Sequence, residues 1–426
     1  MSRDTVAVIG AGAAGLMAAA ELHEAGVPVT VLEARERTGG RILTARVGDC
    51  AAELGAEFLH GDAPLTHEVL ERAAVETAPL HTDEFEARDG RVGPPRLWQR
   101  VERVLERLDA ERATDRSFAD FLRADHAIGE DAREAALAFV EGFHAADPER
   151  LSERMLAAQP DADEAVTGSR VSAGQDRIIT ALEARLGEEV RTGHRVRRVE
   201  WRRGGVRISG ESAGGAFTLE ARAAVITVPL PILRGAAGAP PFTVEPAVPR
   251  LRRALDSLAF GPVVRVALEL DRPPRDLLAP VLPADADDAF FLHTPRRAFN
   301  VLWTAEPPEA PVLVAWSGGP RSAGLPSRND RLRALILDDL AAASGMDAAA
   351  LGRAVRALHW HDWRADPWTL GAYSYPAVGG EAVEPFDEDG TLFFAGEAFG
   401  GESLASVEGA IATGRAAARA VVEALG

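Results

Sequence analysis

From Thr5 the chain runs Thr5-Val6-Ala7-Val8-Ile9 with no alternating polar position. A strand that reads apolar on both faces is one buried on both faces, as in a parallel sheet covered by helices. The alanine-rich stretch Ala13 to Ala25 favours helix, and Gly26 supplies a left-handed residue to end it. Val29-Thr30-Val31-Leu32 is the second strand, so the opening reads as a βαβ unit. Similar runs return at Ala223 to Pro229 and at Leu392-Phe393-Phe394-Ala395, and Val263 to Leu270 and Val312 to Trp316 read as further strands. Val196 to Ile208 alternates as one antiparallel strand. Leu97 to Leu108 and Phe118 to Phe143 carry apolar residues at helical spacing among many charges, which predicts surface helices of a second region. Helices are also predicted ending at Ala181 to Leu186, over Leu332 to Ala343, and through Gly409 to Leu425. Ala239-Pro240-Pro241 and Pro307 to Pro311 mark loops.

At 426 residues the chain is long for one core, and two or three interleaved domains are expected. Its 46% hydrophobic and 26% charged residues exclude disorder as the dominant state. Forty-seven basic against 65 acidic residues give a net charge of −18. Such a chain repels phosphate backbones, which argues against nucleic acid, and draws in cations. The single cysteine, Cys50, excludes an intrachain disulfide and a multi-cysteine metal site. Met1-Ser2-Arg3-Asp4 leads straight into the first strand and leaves no room for a signal peptide. No run of about 18 apolar residues suggests a membrane span. The expectation is a soluble, cytoplasmic protein without a membrane partner.

Gly10-Ala11-Gly12-Ala13-Ala14-Gly15 matches GxGxxG between a predicted strand and a predicted helix, the context that gives the motif meaning. Gly10 permits the tight turn, Gly12 lets a pyrophosphate approach the backbone, and Gly15 allows close helix–strand packing. The helix amino terminus near Ala13 and Ala14 faces the anion. Glu33 lies 18 residues beyond Gly15 at the end of the second strand, placed to accept from ribose hydroxyls. An acid there suits an unphosphorylated ribose, so FAD or NAD fits better than NADP. The run Ala34-Arg35-Glu36-Arg37-Thr38-Gly39-Gly40-Arg41 adds a second glycine pair and a guanidinium for anion binding, which a nicotinamide enzyme does not need.

That run, together with Glu53-Leu54-Gly55-Ala56-Glu57-Phe58-Leu59-His60-Gly61 and Phe394-Ala395-Gly396-Glu397, resembles the flavin-containing amine oxidase family, which includes monoamine oxidases, polyamine oxidases and lysine-specific histone demethylases. The resemblance extends through Thr227-Val228-Pro229-Leu230, Asp366-Pro367-Trp368, Gly371-Ala372-Tyr373-Ser374-Tyr375 and Val407-Glu408-Gly409-Ala410, in family order along the whole chain. It implies an α/β fold: a Rossmann-like FAD-binding domain with an interleaved α+β substrate-binding domain. The first would be built from residues 1–80, 170–240 and 370–426, the second from 81–169 and 241–369. FAD contacts are implied for Gly10, Gly12, Ala14, Gly15, Ala34, Arg35, Gly40, Gly55, Ala56 and Glu57. Glu33 would hold the adenosine ribose, Arg41 would lie near the pyrophosphate, Glu397 after Gly396 would hold the ribityl portion, and Val407 would meet the flavin ring. Val196 matches a position that contacts adenine through its main chain, and reads equally well as a core strand residue. Where many members have a flavin-linking cysteine this chain has Ala372, so noncovalent FAD is expected.

The resemblance also implies an amine substrate, dioxygen as reoxidant, and hydride transfer giving an imine, an aldehyde and hydrogen peroxide. Tyr373 matches an aromatic stacked against the flavin. Ser406 takes the place of a second cage aromatic, as in polyamine oxidases, so a polyamine-like substrate is expected. His60 matches a histidine near the tunnel mouth and is the leading acid–base candidate, with a loop histidine bonded to backbone as its alternative reading; Glu57, close to it in sequence, reads either as a partner of a substrate ammonium or as a carboxylate capping a turn. Arg265 stands where relatives carry a lysine that reaches the flavin through water; arginine cannot give up its proton. Its alternative reading is an outward-facing partner of a surface acid. His359-Trp360-His361-Asp362-Trp363 lacks a third metal ligand and reads as a tryptophan-rich lining of the substrate region, with no metal. Rival readings are an FAD-dependent desaturase or dehydrogenase of a non-amine substrate, and a flavin-binding protein without turnover.

Overall fold

The computed structural model describes residues 5–158, 168–187 and 189–426. Met1–Asp4, on which the reading of the amino terminus rests, lie outside these, as do residues 159–167 and 188 of the two expected domains.

Strands Val6–Ile9, Val29–Leu32, Val190–Arg191, Ala223–Ile226 and Leu392–Phe394 form a parallel sheet, with Phe386–Glu388 antiparallel at one edge. In space the order is Val190–Arg191, Val29–Leu32, Val6–Ile9, Ala223–Ile226, Leu392–Phe394, Phe386–Glu388. Alternate residues explain why these strands read as unbroken apolar runs. Val6, Val8, Val29, Val31 and Val225 pack on helices Ala13–Glu24, Asp176–Glu183 and Val407–Leu425. Ala7, Ile9, Leu32, Ala224 and Ile226 pack on a four-stranded sheet (Arg195–Arg202, Gly205–Ser212, Gly215–Ala221, Thr243–Glu245) that covers the other face. Ligands of such sheets bind beyond the carboxyl ends of the strands.

A second, seven-stranded sheet has the order Val355–Asp362, Val263–Leu270, Val312–Gly318, Val301–Thr304, Phe290–His293, Asp83–Arg88, Arg91–Gly93. One face packs Val264, Val266, Leu268, Leu302 and Leu313 against helix Asn329–Ser344. The other carries Arg265, Trp316, Trp303, Phe291 and His293 into a cavity. Helices Leu97–Leu105, Phe118–Ala124 and Glu130–Gly142 make a separate core beside it.

Three expected elements differ. The stretch Phe118 to Phe143 is two helices, Phe118–Ala124 and Glu130–Gly142; Gly129 caps the second. Val196 to Ile208 is a hairpin, because Gly204 with φ +73° turns the chain between Arg195–Arg202 and Gly205–Ser212. The helix expected to end within Ala181 to Leu186 is Asp176–Glu183. No helix among the described residues is long and apolar enough to cross a membrane.

Helices Ala13–Glu24 and Val407–Leu425 cross so closely that a Cβ on Gly414 would lie 2.2 Å from the Ala14 carbonyl oxygen. Glycine to alanine inside a helix ordinarily gains about 1 kcal/mol. Here backbone must move instead, and Gly414→Ala should lose about 1–3 kcal/mol, as overpacked sites do. Urea unfolding monitored by circular dichroism measures the sign; a stabilised variant would refute the close crossing.

Candidate active site

Four strand ends of the first sheet open into one cavity of about 1150 Å³, contributing Gly10, Glu33, Thr227 and Gly396 to its lining. That volume exceeds the roughly 300–1,000 Å³ of an ordinary small-molecule pocket and suits a dinucleotide together with a substrate. Every residue expected from the sequence to act in catalysis or to contact FAD lines this cavity except Gly15. Gly15 instead sits behind it, where a Cβ would lie 1.9 Å from the Gly10 carbonyl oxygen, so its part is packing.

The cradle fits a phosphate. Gly10 turns with φ +106°, and a Cβ on Gly12 would meet nothing within 4 Å, so the lining there is bare backbone with room in front. Gly12 caps helix Ala13–Glu24 without a side chain, and no acid occupies the first turn. The positive helix end is therefore open to an anion. Glu33 is held by its oxygens accepting from the Ala11 and Arg35 amides, both at 2.8 Å, which leaves lone pairs for two hydroxyls. Arg35 reaches Asp366 at 2.6 Å, and His361 reaches the other oxygen of Asp366 at 2.7 Å. Burial raises the Asp366 carboxyl, but the His361 and Arg35 contacts outweigh it and hold the group well below the usual carboxylate range. Arg41 donates from one nitrogen to Glu397 at 2.8 Å and to the Ala372 carbonyl at 2.7 Å, while Ser374 donates to Glu397 at 3.0 Å. Val407 begins helix Val407–Leu425.

Ser406 has a second employment that the sequence did not suggest. Its hydroxyl accepts from the Gly409 amide at 2.9 Å and donates to Ser403 O at 2.7 Å, so it is the amino-terminal cap of that helix as well as a cavity wall. Cys50 lies in a hairpin strand and does not line the cavity.

Glu57 departs from its expected place. Its carboxylate is taken up by fixed side chains: Arg265 Nη2 bonds Oε2, Trp303 Nε1 donates to Oε2 at 2.9 Å, and Arg170 Nε lies 3.2 Å from Oε1. Glu57, Arg170 and Arg265 are 7%, 3% and 2% exposed, so the charges are sealed together. Burial pushes the Glu57 carboxyl up, and the two guanidiniums with the indole N–H more than reverse this, leaving it below its ordinary value. Neither reading of Arg265 describes it fully. It lines the cavity, yet its partner is this buried acid, with Nη1 donating to the Gly55 carbonyl at 2.9 Å. All 47 basic residues are arginine, so no lysine elsewhere takes over the position.

Beyond the cradle the lining becomes aromatic. Tyr373 OH donates to the Phe143 carbonyl at 2.8 Å, and burial raises its pKa, so it is a neutral phenol fixed as a wall. His60 is exposed along the wall, with its ring 5.7 Å from Phe143 and 5.9 Å from Phe58. His144, edge-on to Phe139 and Phe143, is pushed down to about 4 by burial and stays uncharged at neutral pH. Sequence reasoning missed His144, Trp98, Glu84 and His293. Helical spacing marked Trp98 only as part of a surface helix, and nothing local marks the other three. The His359 to Trp363 segment lines the cavity only through Trp363, whose indole donates to Leu54 O at 2.7 Å. His359 bonds Glu269 and Trp360 bonds Asn329 instead. Among the described residues no group of three or more His, Cys, Asp or Glu side chains could hold a metal.

Breaking a buried ion pair from one side costs about 3–5 kcal/mol. Arg265→Met should lose that much in urea unfolding and Arg265→Lys less; equal stability of Arg265→Met and wild type would refute the paired arrangement. Glu53, 7% exposed next to this network, is pushed up to about 7 by burial, against hydrogen bonds from Gln175 N and Thr44 Oγ1 that lower it. Its folded value exceeds the ordinary 4.5, so the native state keeps a proton that the unfolded chain releases between those values. This contribution is full below 4.5 and is lost as pH rises to about 7, amounting to roughly 3 kcal/mol. Glu53→Gln should flatten that part of the stability profile; an unchanged slope would count against it.

Residues 13–422 match the family model described as flavin containing amine oxidoreductase. Probable polyamine oxidase 4 of Arabidopsis thaliana is 28% identical, covering 97% of this chain and 86% of its own. Polyamine oxidase 4 of Oryza sativa subsp. japonica is 27% identical, covering 98% and 88%. Among solved structures, wild-type putrescine oxidase bound to putrescine superposes with a TM-score of 0.79 at 21% identity, covering 99% of each chain. Cyclohexylamine oxidase from Brevibacterium oxydans IH-35A gives 0.78 at 20%, again covering 99% of each. The structural likenesses establish the shared fold. With the glycine cradle, the ribose acid and a family match over nearly its whole length, this chain belongs to the flavin containing amine oxidoreductase family.

Proposed function

We propose that this FAD-dependent amine oxidoreductase is an oxidase of polyamine-like substrates. The observation that carries the reading is the single cavity that runs from the glycine cradle at Gly10 and Gly12 into an aromatic chamber walled by Tyr373, Phe143 and Trp303. Polyamine oxidases among its relatives support the substrate class.

When bound, FAD supplies the two-electron acceptor for oxidation of the C–N bond. The amine becomes an imine, water hydrolyses the imine to an aldehyde, and dioxygen ends as hydrogen peroxide. The chain's own work is placement. Tyr373, held by the Phe143 carbonyl, offers an aromatic face that attracts a cationic or partly charged nitrogen. His144 is uncharged and repels no ammonium. His60, on the wall beside Phe143, is the residue we assign to hydrogen bonding or proton exchange with the incoming amine. Arg265 is assigned no proton transfer, since its guanidinium is locked to Glu57 and arginine is a poor proton donor. Dinucleotide binding is assigned to Glu33, Arg41, Glu397 and the amino termini of helices Ala13–Glu24 and Val407–Leu425.

The test is a peroxide assay on the purified yellow protein. Acid precipitation should release FAD into the supernatant, since Ala372 occupies the position of a linking cysteine. Spermidine, spermine and their acetylated forms should give higher kcat/KM than benzylamine or phenethylamine by about 10-fold or more, a difference of over 1 kcal/mol in transition-state binding. Faster turnover of the arylalkylamines would overturn the substrate class, and absence of peroxide with every amine would overturn the oxidase reading.

A further inference from the structure

The cavity face of the second sheet is a ruled surface. Its register places Trp316, Val301 and His293 in one row beside Arg265, and Trp303 and Phe291 in the adjoining row that ends at Glu84. From the strand of Arg265 to that of Glu84 there are four interstrand spacings, roughly 19 Å at about 4.8 Å each. The opposite wall keeps pace with it. Tyr373 touches Phe143, whose ring is 5.5 Å from Phe139, which is 5.8 Å from Trp98. Both walls therefore lead away from Tyr373 and Arg265 and converge on Glu84, where Trp98 Nε1 donates to Glu84 Oε2 and His293 Nε2 lies 3.3 Å from the same oxygen.

Glu84 differs from the other buried and half-buried acids of this interior; Glu381 and Glu402, which also line the cavity, are exposed. Glu57, Glu86, Asp366 and Glu397 each pair with an arginine. Glu33 and Glu408 are bonded on both oxygens by backbone amides. Among the described residues no arginine lies within 4.0 Å of Glu84, and its Oε1 has no hydrogen-bond partner. Its side chain is 16% exposed, and it lines the cavity. Beside it His293, 7% exposed, has Nε2 without a hydrogen bond of good geometry. An anion set against aromatic rings and left without a fixed cation is a place for a mobile one.

We infer that Glu84, with Trp98 and His293, anchors the remote ammonium of a diamine or polyamine whose reacting nitrogen lies at the Tyr373 end. Glu84 is then the residue that sets preference for substrates with a second cationic nitrogen across an aliphatic spacer. This rests on the amine-oxidase reading above.

The matched probes are diaminododecane and dodecylamine, long enough to reach along these walls, equal in length and differing in the second ammonium. Purified holoenzyme should favour the diamine, and Glu84→Gln should lower the diamine-to-monoamine ratio of kcat/KM by about 10- to 100-fold, mainly through KM, the size of one charged hydrogen bond. Flavin content and melting temperature of the variant establish that it is folded. Trp98→Phe keeps an aromatic ring and removes the N–H, and should lower the same ratio by about threefold or more. If Glu84→Gln does not fold, this second variant decides. Turnover of both amines with a ratio unchanged in the folded variant, or a wild-type ratio near unity, overturns the inference and leaves the oxidase reading standing. Failure of wild type to oxidise any amine removes both.

Discussion

The Glu57 carboxylate, sealed between Arg265, Arg170 and the Trp303 indole, is the contact on which the two halves of the molecule turn. It joins a loop after the first sheet's βαβ unit to strands of the second sheet, across 208 residues to Arg265 and 246 to Trp303. Burying those charges contributes little net stability, because desolvation nearly cancels their attraction. What it contributes is position. None of the three side chains can relax towards water, so each must find the others, and the back wall of the cavity takes one arrangement.

The same logic recurs at the cradle with partners further apart. Arg35 and Asp366 are separated by 331 residues, and Arg41 and Glu397 by 356. Each pair carries one group from the amino-terminal unit and one from the carboxyl-terminal segment. The cofactor surface thus assembles only when both ends of the chain are in place. A dinucleotide held across these pieces binds the folded state alone and adds to its stability by mass action.

The active cavity combines two kinds of wall. Its cradle is backbone, helix ends and a few fixed carboxylates, suited to phosphate and ribose. Its chamber is aromatic, with uncharged His144 and a neutral Tyr373, and what it offers an amine is ring faces, His60 on the wall and the Glu84 carboxylate at the far end. Binding energy spent on a remote ammonium can orient the reacting carbon, which is how distant contacts raise rate as well as affinity.

Local pattern was enough for much of this. Continuous apolar runs at Val6–Ile9, Val29–Leu32, Ala223–Ile226 and Leu392–Phe394 announced a doubly covered parallel sheet, because residues buried on both faces leave no polar period. Gly10, Gly12 and Glu33 were legible for the same reason: their roles depend on neighbouring backbone, so spacing alone encodes them. The Gly204-Gly205 pair that splits one expected strand into a hairpin was also present in the sequence, masked by the alternation on either side. The fate of charged and polar side chains was not local. Glu57 beside His60 reads as a substrate partner until two arginines from distant strands close on it. Ser406 reads as an open cage wall until the helix beginning at Val407 is seen to need its cap. Glu84 and His293 come together because a parallel pairing of Asp83–Arg88 with Phe290–His293 sets their register, across some two hundred residues of chain. The sequence by itself determined the cofactor cradle and the family. Only the tertiary structure decided which acids are neutralised and which are left for a ligand, since a charge's partner is chosen by distance in space and a residue's neighbours along the chain do not fix it.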